Sequence, residues 1–528
     1  MTVSKNLRLT EAASRGRLRS LSKIRTLSSR FAHGTPIARR IVAIFALQQT
    51  QRQKLPELVP RQRGRFLARL SWHASKGSAT AMSGSNLCKW TISYFWAAIM
   101  WLLAAEVLMV GGFGFPNAAL MSADTLVIVH MVCIGWLSLA MCGALFQFVP
   151  VLVARPLYAE RWTLPALVLL SAGLMALLAG FLALGGRISP WLSLLPVGAI
   201  LLIAGFALVV ADVGITLWQA RPLAGPARFV TVGLVSICAT VTFGVMFSLV
   251  LSGRATGPLL TNMLDAVPVH AIAGLGGWLT FTAMGVTYRL LAMFMLAPDA
   301  DVSLGRRAWL VGAATLAIAV IGGVFALLVA GGLNLVPSLA AVSGAASLAF
   351  YGHDVRRLYR TRKRRALELN THMVVWSFAS LAAVAFLGGA LAATGSFARH
   401  VGAFVFLAVF GWLSGLVLAN LYKIVPFLTW LEAYGPVLGK VPTPRVQDLV
   451  AERRASKWFV LFFLASWAAT AMLLVEAPAG FRVAVTAMMI ATLGIAQELI
   501  RARQLAEVAE ALRLPTGVSA PWLLVSRN

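Results

Sequence analysis

GWLSLAMCGALFQFVPVL from Gly135, GWLTFTAMGVTYRLLAMF from Gly277 and GWLSGLVLANLYKIVPFL from Gly411 are one eighteen-residue pattern written three times without a gap. Each copy opens Gly-Trp-Leu-Ser/Thr and sets an aromatic residue ten positions after its Trp, at Phe146, Tyr288 and Tyr422. A polar residue follows that aromatic: Gln147, Arg289 or Lys423. The copies begin 142 and 134 residues apart, and long periods of this kind mark a chain built from repeated units.

Outward from the copies, the chain from Lys89 to about residue 499 reads as twelve apolar runs. Each is near or above the ~20 residues an α-helix needs to cross a bilayer. Lipid offers no partner to backbone N–H and C=O groups, so the runs are helices rather than open strands. The copies fall on the second, sixth and tenth runs, over 121–153, 268–297 and 400–430, which are the longest. Each unit is therefore four helices long, and all three copies cross in the same direction. The fold expected is an all-α integral membrane protein of 12 transmembrane helices. These form three parallel four-helix repeats with pseudo-threefold symmetry about the membrane normal, unlike the inverted repeats of many transporters.

Composition agrees. Of 528 residues, 59% are hydrophobic and 12% charged, with a mean hydropathy of +0.81, which excludes an ordinary soluble domain. Lys and Arg number 46 against 18 Asp and Glu. Past the N-terminal arm the excess sits in alternate loops: Arg155, Arg161, Arg306, Arg307, the cluster from Arg356 to Arg365, Arg453 and Arg454 on one side. The other side holds only Arg187, Arg254, Arg399 and Arg482. Cationic loops stay cytoplasmic, so both termini are placed inside (N-in/C-in), and membrane topology rather than nucleic acid accounts for the charge. The partners expected are the lipid bilayer, with anionic headgroups at the cytoplasmic face, and a respiratory-chain redox partner. The location expected is a bacterial inner membrane.

The domains expected are a basic disordered arm over 1–88, a membrane domain over 89–500 and a cytoplasmic tail over 501–528. The arm holds 17 Lys/Arg against Glu11 and Glu57. It also suits a mitochondrial-type targeting segment, or an extension upstream of a start at Met82. Cys88, Cys133, Cys142 and Cys238 have no CxxC or finger spacing and are read as packing residues.

Of seven histidines, His33 and His73 lie in the arm, and His353 and His372 flank the basic cytoplasmic cluster. His130, His270 and His400 fall on the three repeat-bearing helices, all toward the outer side. Imidazole is a common axial ligand of haem iron and a good copper ligand, and membrane bundles build such sites between facing helices.

This combination resembles subunit I of the haem-copper oxidases and nitric oxide reductases, as a degenerate or NnrS-like member. The likeness is one of architecture over about residues 89–500. It implies a haem b cofactor, with copper as a further metal, and a role in electron transfer, nitric oxide response or metal handling. Carried over by position, His130 and His400 are haem ligands and His270 a metal ligand. The oxidases' Pro-Glu-Val-Tyr after the helix-six His is Ala271, Ile272, Ala273 and Gly274 here. The seventh run has no histidine, and Gly402 stands where the tenth should carry a second. A complete dioxygen-reducing site is therefore not expected.

Depth constrains the pairing. His130 precedes its repeat Trp by six residues, His270 by eight and His400 by twelve. At ~1.5 Å per residue, His400 sits about 9 Å nearer the outer surface than His130, while His270 differs by about 3 Å. Both His130–His400 and His130–His270 stay open. Among other polar groups, Glu106 stands near the level of His130, where it orients that ring's second nitrogen, relays a proton or bonds a neighbouring helix. Asp212 is expected to pair with Arg289, Lys423 or Arg221. The alternative function is a cofactor-free transporter or channel lined by Glu106, Gln147, Asp212, Arg289 and Lys423. The repeat tryptophans are read as packing residues before cofactor-stacking ones.

Overall fold

A computed structural model of the chain describes residues 88–526 apart from 190, 224, 256–263, 298–304 and 326–334. The arm expected over 1–88 lies outside the described residues except for Cys88, and His33 and His73 with it. The helices below belong to one compact unit, from which residues 154–156 are set apart.

The described residues are helical, with no named strand. In chain order the long helices are α1 Thr91–Val110, α2 Ala123–Val153, α3 Glu160–Leu184, α4 Leu194–Gln219, α5 Gly225–Leu251 and α6 Val267–Met295. There follow α7 Arg306–Phe325, α8 Leu335–Thr361, α9 Leu369–Ala393, α10 Phe397–Val437, α11 Glu452–Leu474 and α12 Pro478–Arg503. All but α8 are long and apolar enough to cross a membrane, so the described residues show eleven such helices where the sequence suggested twelve. The eighth run, expected over 333–352, begins in undescribed residues and continues into the charged turn of Asp354, Arg356, Arg357 and Arg360. The longest of the eleven are α2, α6 and α10, at 31, 29 and 41 residues.

The repeat has a local structural meaning. In each copy Gly-Trp-Leu-Ser/Thr lies inside a stretch of π-helical turns: Met131–Ser138, Ile272–Phe281 and Leu407–Ser414. Widened turns free a backbone carbonyl and are often found at functional sites. Ser138 Oγ donates to Cys133 O at 2.7 Å, satisfying one such carbonyl. The repeat glycine is a point of close approach by the preceding helix. A Cβ on Gly135 would stand 2.6 Å from Trp101 Cγ of α1, one on Gly277 2.3 Å from Ser236 Oγ of α5, and one on Gly411 3.0 Å from Ser380 Cβ of α9. The same small-residue logic joins α3 to α4, where a Cβ on Gly198 would lie 2.7 Å from Leu177 N.

The tryptophans do more than fill space. Trp136 Nε1 of α2 donates to Ser414 Oγ of α10 at 2.8 Å, and Trp278 Nε1 of α6 donates to Ser138 Oγ of α2 at 2.9 Å. Each indole thus bonds the hydroxyl two residues after the Trp of another copy. By that rule Trp412 of α10 would reach Thr280 of α6, yet its buried Nε1 has no partner among the described residues. The Trp412 ring instead packs against Tyr351 of α8 and Phe378 of α9, at centroid distances of 6.5 and 5.6 Å. Hydrogen bonds between membrane helices contribute ~0.6 kcal/mol on average and up to ~1.7 kcal/mol. Trp136→Phe and Trp278→Phe should therefore each destabilise by about that much more than Trp412→Phe, read as the thermal unfolding midpoint in detergent. Equal losses at all three positions would show that the hydrogen bonds contribute nothing.

The tail expected over 501–528 starts after α12 ends at Arg503 and returns to the beginning of the bundle. Ser93 Oγ and Trp96 Nε1 of α1 donate to the carbonyls of Leu524 and Leu523, at 2.6 and 2.8 Å, and Ser526 N donates to Lys89 O at 3.0 Å. From the other side Arg503 donates to the carbonyls of Trp522 and Val525. This terminal strap fastens the last residues of the chain to its first membrane helix.

Candidate functional site

His130 is the last residue before the π-helical turns of α2. Its Nδ1 lies 2.8 Å from Leu126 O, one turn back on its own helix, and its ring packs against Phe181 of α3 at 4.9 Å between centroids. His270 stands two residues before the π-helical turns of α6. Its Nδ1 lies 3.0 Å from Thr240 O of α5, and Phe247 meets its ring edge-on at 5.4 Å. A carbonyl can only accept, so in both rings Nδ1 carries the proton and Nε2 holds a free lone pair. That is the tautomer a metal-ligating histidine adopts when a second group fixes its orientation. Their helices α2 and α6 are joined by the Trp278–Ser138 hydrogen bond.

His400 stands apart from this pair. It lies in the first turn of α10, where the backbone leaves helical geometry (φ −110°, ψ 15°). Its electrostatic partner is Glu476 in the loop between α11 and α12. The neighbouring Arg399 grips Glu476 through Nε at 2.6 Å and Nη2 at 3.0 Å, and this contact holds the Glu476 carboxyl below its usual range. His400 thus belongs with a surface cluster at the start of α10, twelve residues ahead of Trp412. His353 and His372 are exposed.

The other polar groups do not line a common space. Glu106 Oε1 lies 2.8 Å from Thr492 Oγ1 of α12, so Glu106 does not orient His130, whose Nδ1 is taken by Leu126 O. Asp212 pairs with none of the three expected cations. Its Oδ1 accepts from Ala159 N at 2.7 Å, and Thr216 Oγ1, bonded to Asp212 O, accepts from Tyr158 N at 2.9 Å. It therefore fastens the stretch leading into α3 through Oδ1, while Oδ2 has no partner among the described residues. Gln147 accepts from Cys88 N at 3.2 Å, and Arg289 is exposed. The four cysteines are free, with Cys88 and Cys142 buried.

Lys423 pairs with Glu368 at 2.5 Å, a residue that sequence reasoning passed over as a loop acid. Arg364 and Gln447 converge on the same carboxylate, Gln447 donating at 2.6 Å. Burial opposes ionisation of Glu368, but the Lys423 ammonium and Arg364 guanidinium outweigh it and hold the carboxyl below its usual range. A carboxyl whose folded value is depressed contributes stability above its unfolded value, and that contribution is lost as pH falls through the folded one. Glu368→Gln should cost about 1.5–3 kcal/mol at neutral pH. The gap to wild type should close below pH ~4.5, as followed by unfolding midpoints across that range. A gap independent of pH would remove Glu368 from the ionised network.

The donor set decides which groups fit. Two axial imidazoles suffice for a haem iron, so His130 and His270 fit an axial pair. No group of three His, Cys, Asp or Glu able to hold a metal ion occurs among the described residues, so a copper centre built from protein donors alone does not fit there. No family model matches the chain, and no curated protein does.

Proposed function

We propose that this chain is a haem-binding membrane protein working in one-electron transfer, with His130 and His270 as the axial ligands of a b-type haem. The observation that carries the reading is the matched pair. Two imidazoles on repeat-equivalent helices each open a π-helical segment, each donates Nδ1–H to a carbonyl, and each keeps Nε2 free. Once bound, the haem would supply an iron that accepts and releases one electron. The chain's part is to hold the two rings, exclude water with Phe181 and Phe247, and fix the tautomers.

The architecture proposed with it is three parallel four-helix units around a pseudo-threefold axis, N-in/C-in, similar to oxidase subunit I. The two Trp-to-Ser bonds and the equivalent glycine contacts of α1 on α2, α5 on α6 and α9 on α10 support that arrangement. Exposed Arg356, Arg360, Arg362, Lys363 and Arg365 would face anionic headgroups at a bacterial inner membrane, beside a respiratory redox partner.

A dithionite-reduced minus air-oxidised spectrum of the detergent-purified protein tests the reading. Sharp α and Soret bands at near-stoichiometric haem are expected. A colourless preparation that takes up no added haemin overturns it.

A further inference from the structure

Glu106 is wholly buried in α1, and the carboxyl has an unusual partner set. Oε1 lies 2.8 Å from Thr492 Oγ1, and Oε2 has no partner. Thr492 Oγ1 is also 3.1 Å from Met488 O, one turn back on α12. A threonine hydroxyl has one proton, and a backbone carbonyl has none. Were Glu106 a carboxylate, that single proton would face two acceptors, and a full charge would be buried with one shared hydrogen bond. If the acid carries its own proton on Oε1, each proton has one acceptor: Glu106 O–H donates to Thr492 Oγ1, and Thr492 O–H donates to Met488 O. Oε2 is then a neutral carbonyl oxygen, far cheaper to leave unpaired in an apolar interior than an ionised one.

No cation offsets a charge at this point. The guanidinium of Arg482, at the outer end of α12, donates to Val110 O at 2.9 Å, and Glu498 on the inner part of α12 is held by Arg454 at 2.5 Å. On α2, His130 is bonded to Leu126 O. Trp101 packs on Gly135, and Glu106 and His130 each lie five residues outward from that contact on antiparallel helices. Glu106 therefore sits at the depth of His130 but turns to α12.

The geometry points to Glu106 as a proton-binding site of the membrane interior, a neutral acid whose proton is handed to Thr492. The site is independent of haem, and a colourless protein would carry it equally. It is also a substrate for hydrophobic carbodiimides. The carboxyl oxygen adds to the central carbon, the acid proton moves to nitrogen, and rearrangement leaves an N-acylurea with no leaving group.

Infrared spectra of the purified full-length protein should show the C=O stretch of a protonated carboxylic acid, above the amide I band. Glu106→Gln should remove it, and Thr492→Val should move it, because the acid O–H loses its acceptor. Carbodiimide should add mass to the peptide holding Glu106. Should Glu106→Gln fail to fold, the Thr492→Val shift decides alone. An acid band unmoved in Thr492→Val, or absent from the wild type together with no adduct at Glu106, overturns the proposal.

Discussion

His130→Ala and His270→Ala should each abolish the low-spin haem spectrum, while His400→Ala leaves it intact. Removing only a group that orients a metal-ligating histidine typically costs 10–100-fold in affinity, so removing the ligand should cost at least about that much. Under the proposed reading, truncating either ring would leave a haem iron with one imidazole ligand, so the spectrum should turn high-spin or vanish as haem is lost. His400 stands at the start of α10 beside Arg399, which grips Glu476, so its loss should change only that surface cluster. The three variants are read side by side as reduced-minus-oxidised spectra with haem content measured on the same samples. Loss of signal in His400→Ala with retention in His270→Ala would instead assign the second ligand to α10, across its kink.

Arg503→Ala should be the most destabilising single change at the end of the bundle where α12 stops. The Arg503 and Glu432 side chains are 0% and 3% exposed and meet at 2.8 Å, and the same guanidinium reaches Thr429 Oγ1 at 3.2 Å as well as the strap carbonyls. Breaking a buried pair by deleting one partner leaves a charge without compensation and costs about 3–5 kcal/mol. Arg503→Lys should recover only part, because a point charge cannot span Glu432 and the strap together. Replacing both Arg503 and Glu432 by Met should be milder than either single truncation, since no charge is left buried. Additive losses in the double variant, followed by thermal unfolding in detergent, would show that the pair is not coupled.

Much of this was legible in the residue pattern. The eighteen-residue copies marked the three central helices and their greater length. The lead of each histidine over its Trp set His400 at a different depth from the other two, yet both pairings stayed open. The partners of buried polar groups were not legible, because they lie far along the chain. Trp136 bonds a residue 278 positions away and Glu106 one 386 away. The Ser/Thr two places after each repeat Trp was the available signal for the first, but it was read as part of a packing motif. Asp212 looked in need of a cation because local sequence cannot show which backbone N–H groups fold over it. Glu368 was missed because the convergence of Lys423, Arg364 and Gln447 is made by tertiary structure alone.

The strap sets a schedule for biogenesis. Trp96 and Leu523 are 427 residues apart, so α1 leaves the ribosome long before the carbonyl it bonds exists. At 5–20 residues per second, that wait is about 20–90 s. Over that interval the start of α1 lacks its final neighbour, whereas Arg503, 19 residues before Trp522, waits only about 1–4 s for its carbonyls. The strap thus acts as the closing latch of the helices it joins, and a variant lacking residues 522–526 would insert its helices yet remain unlatched.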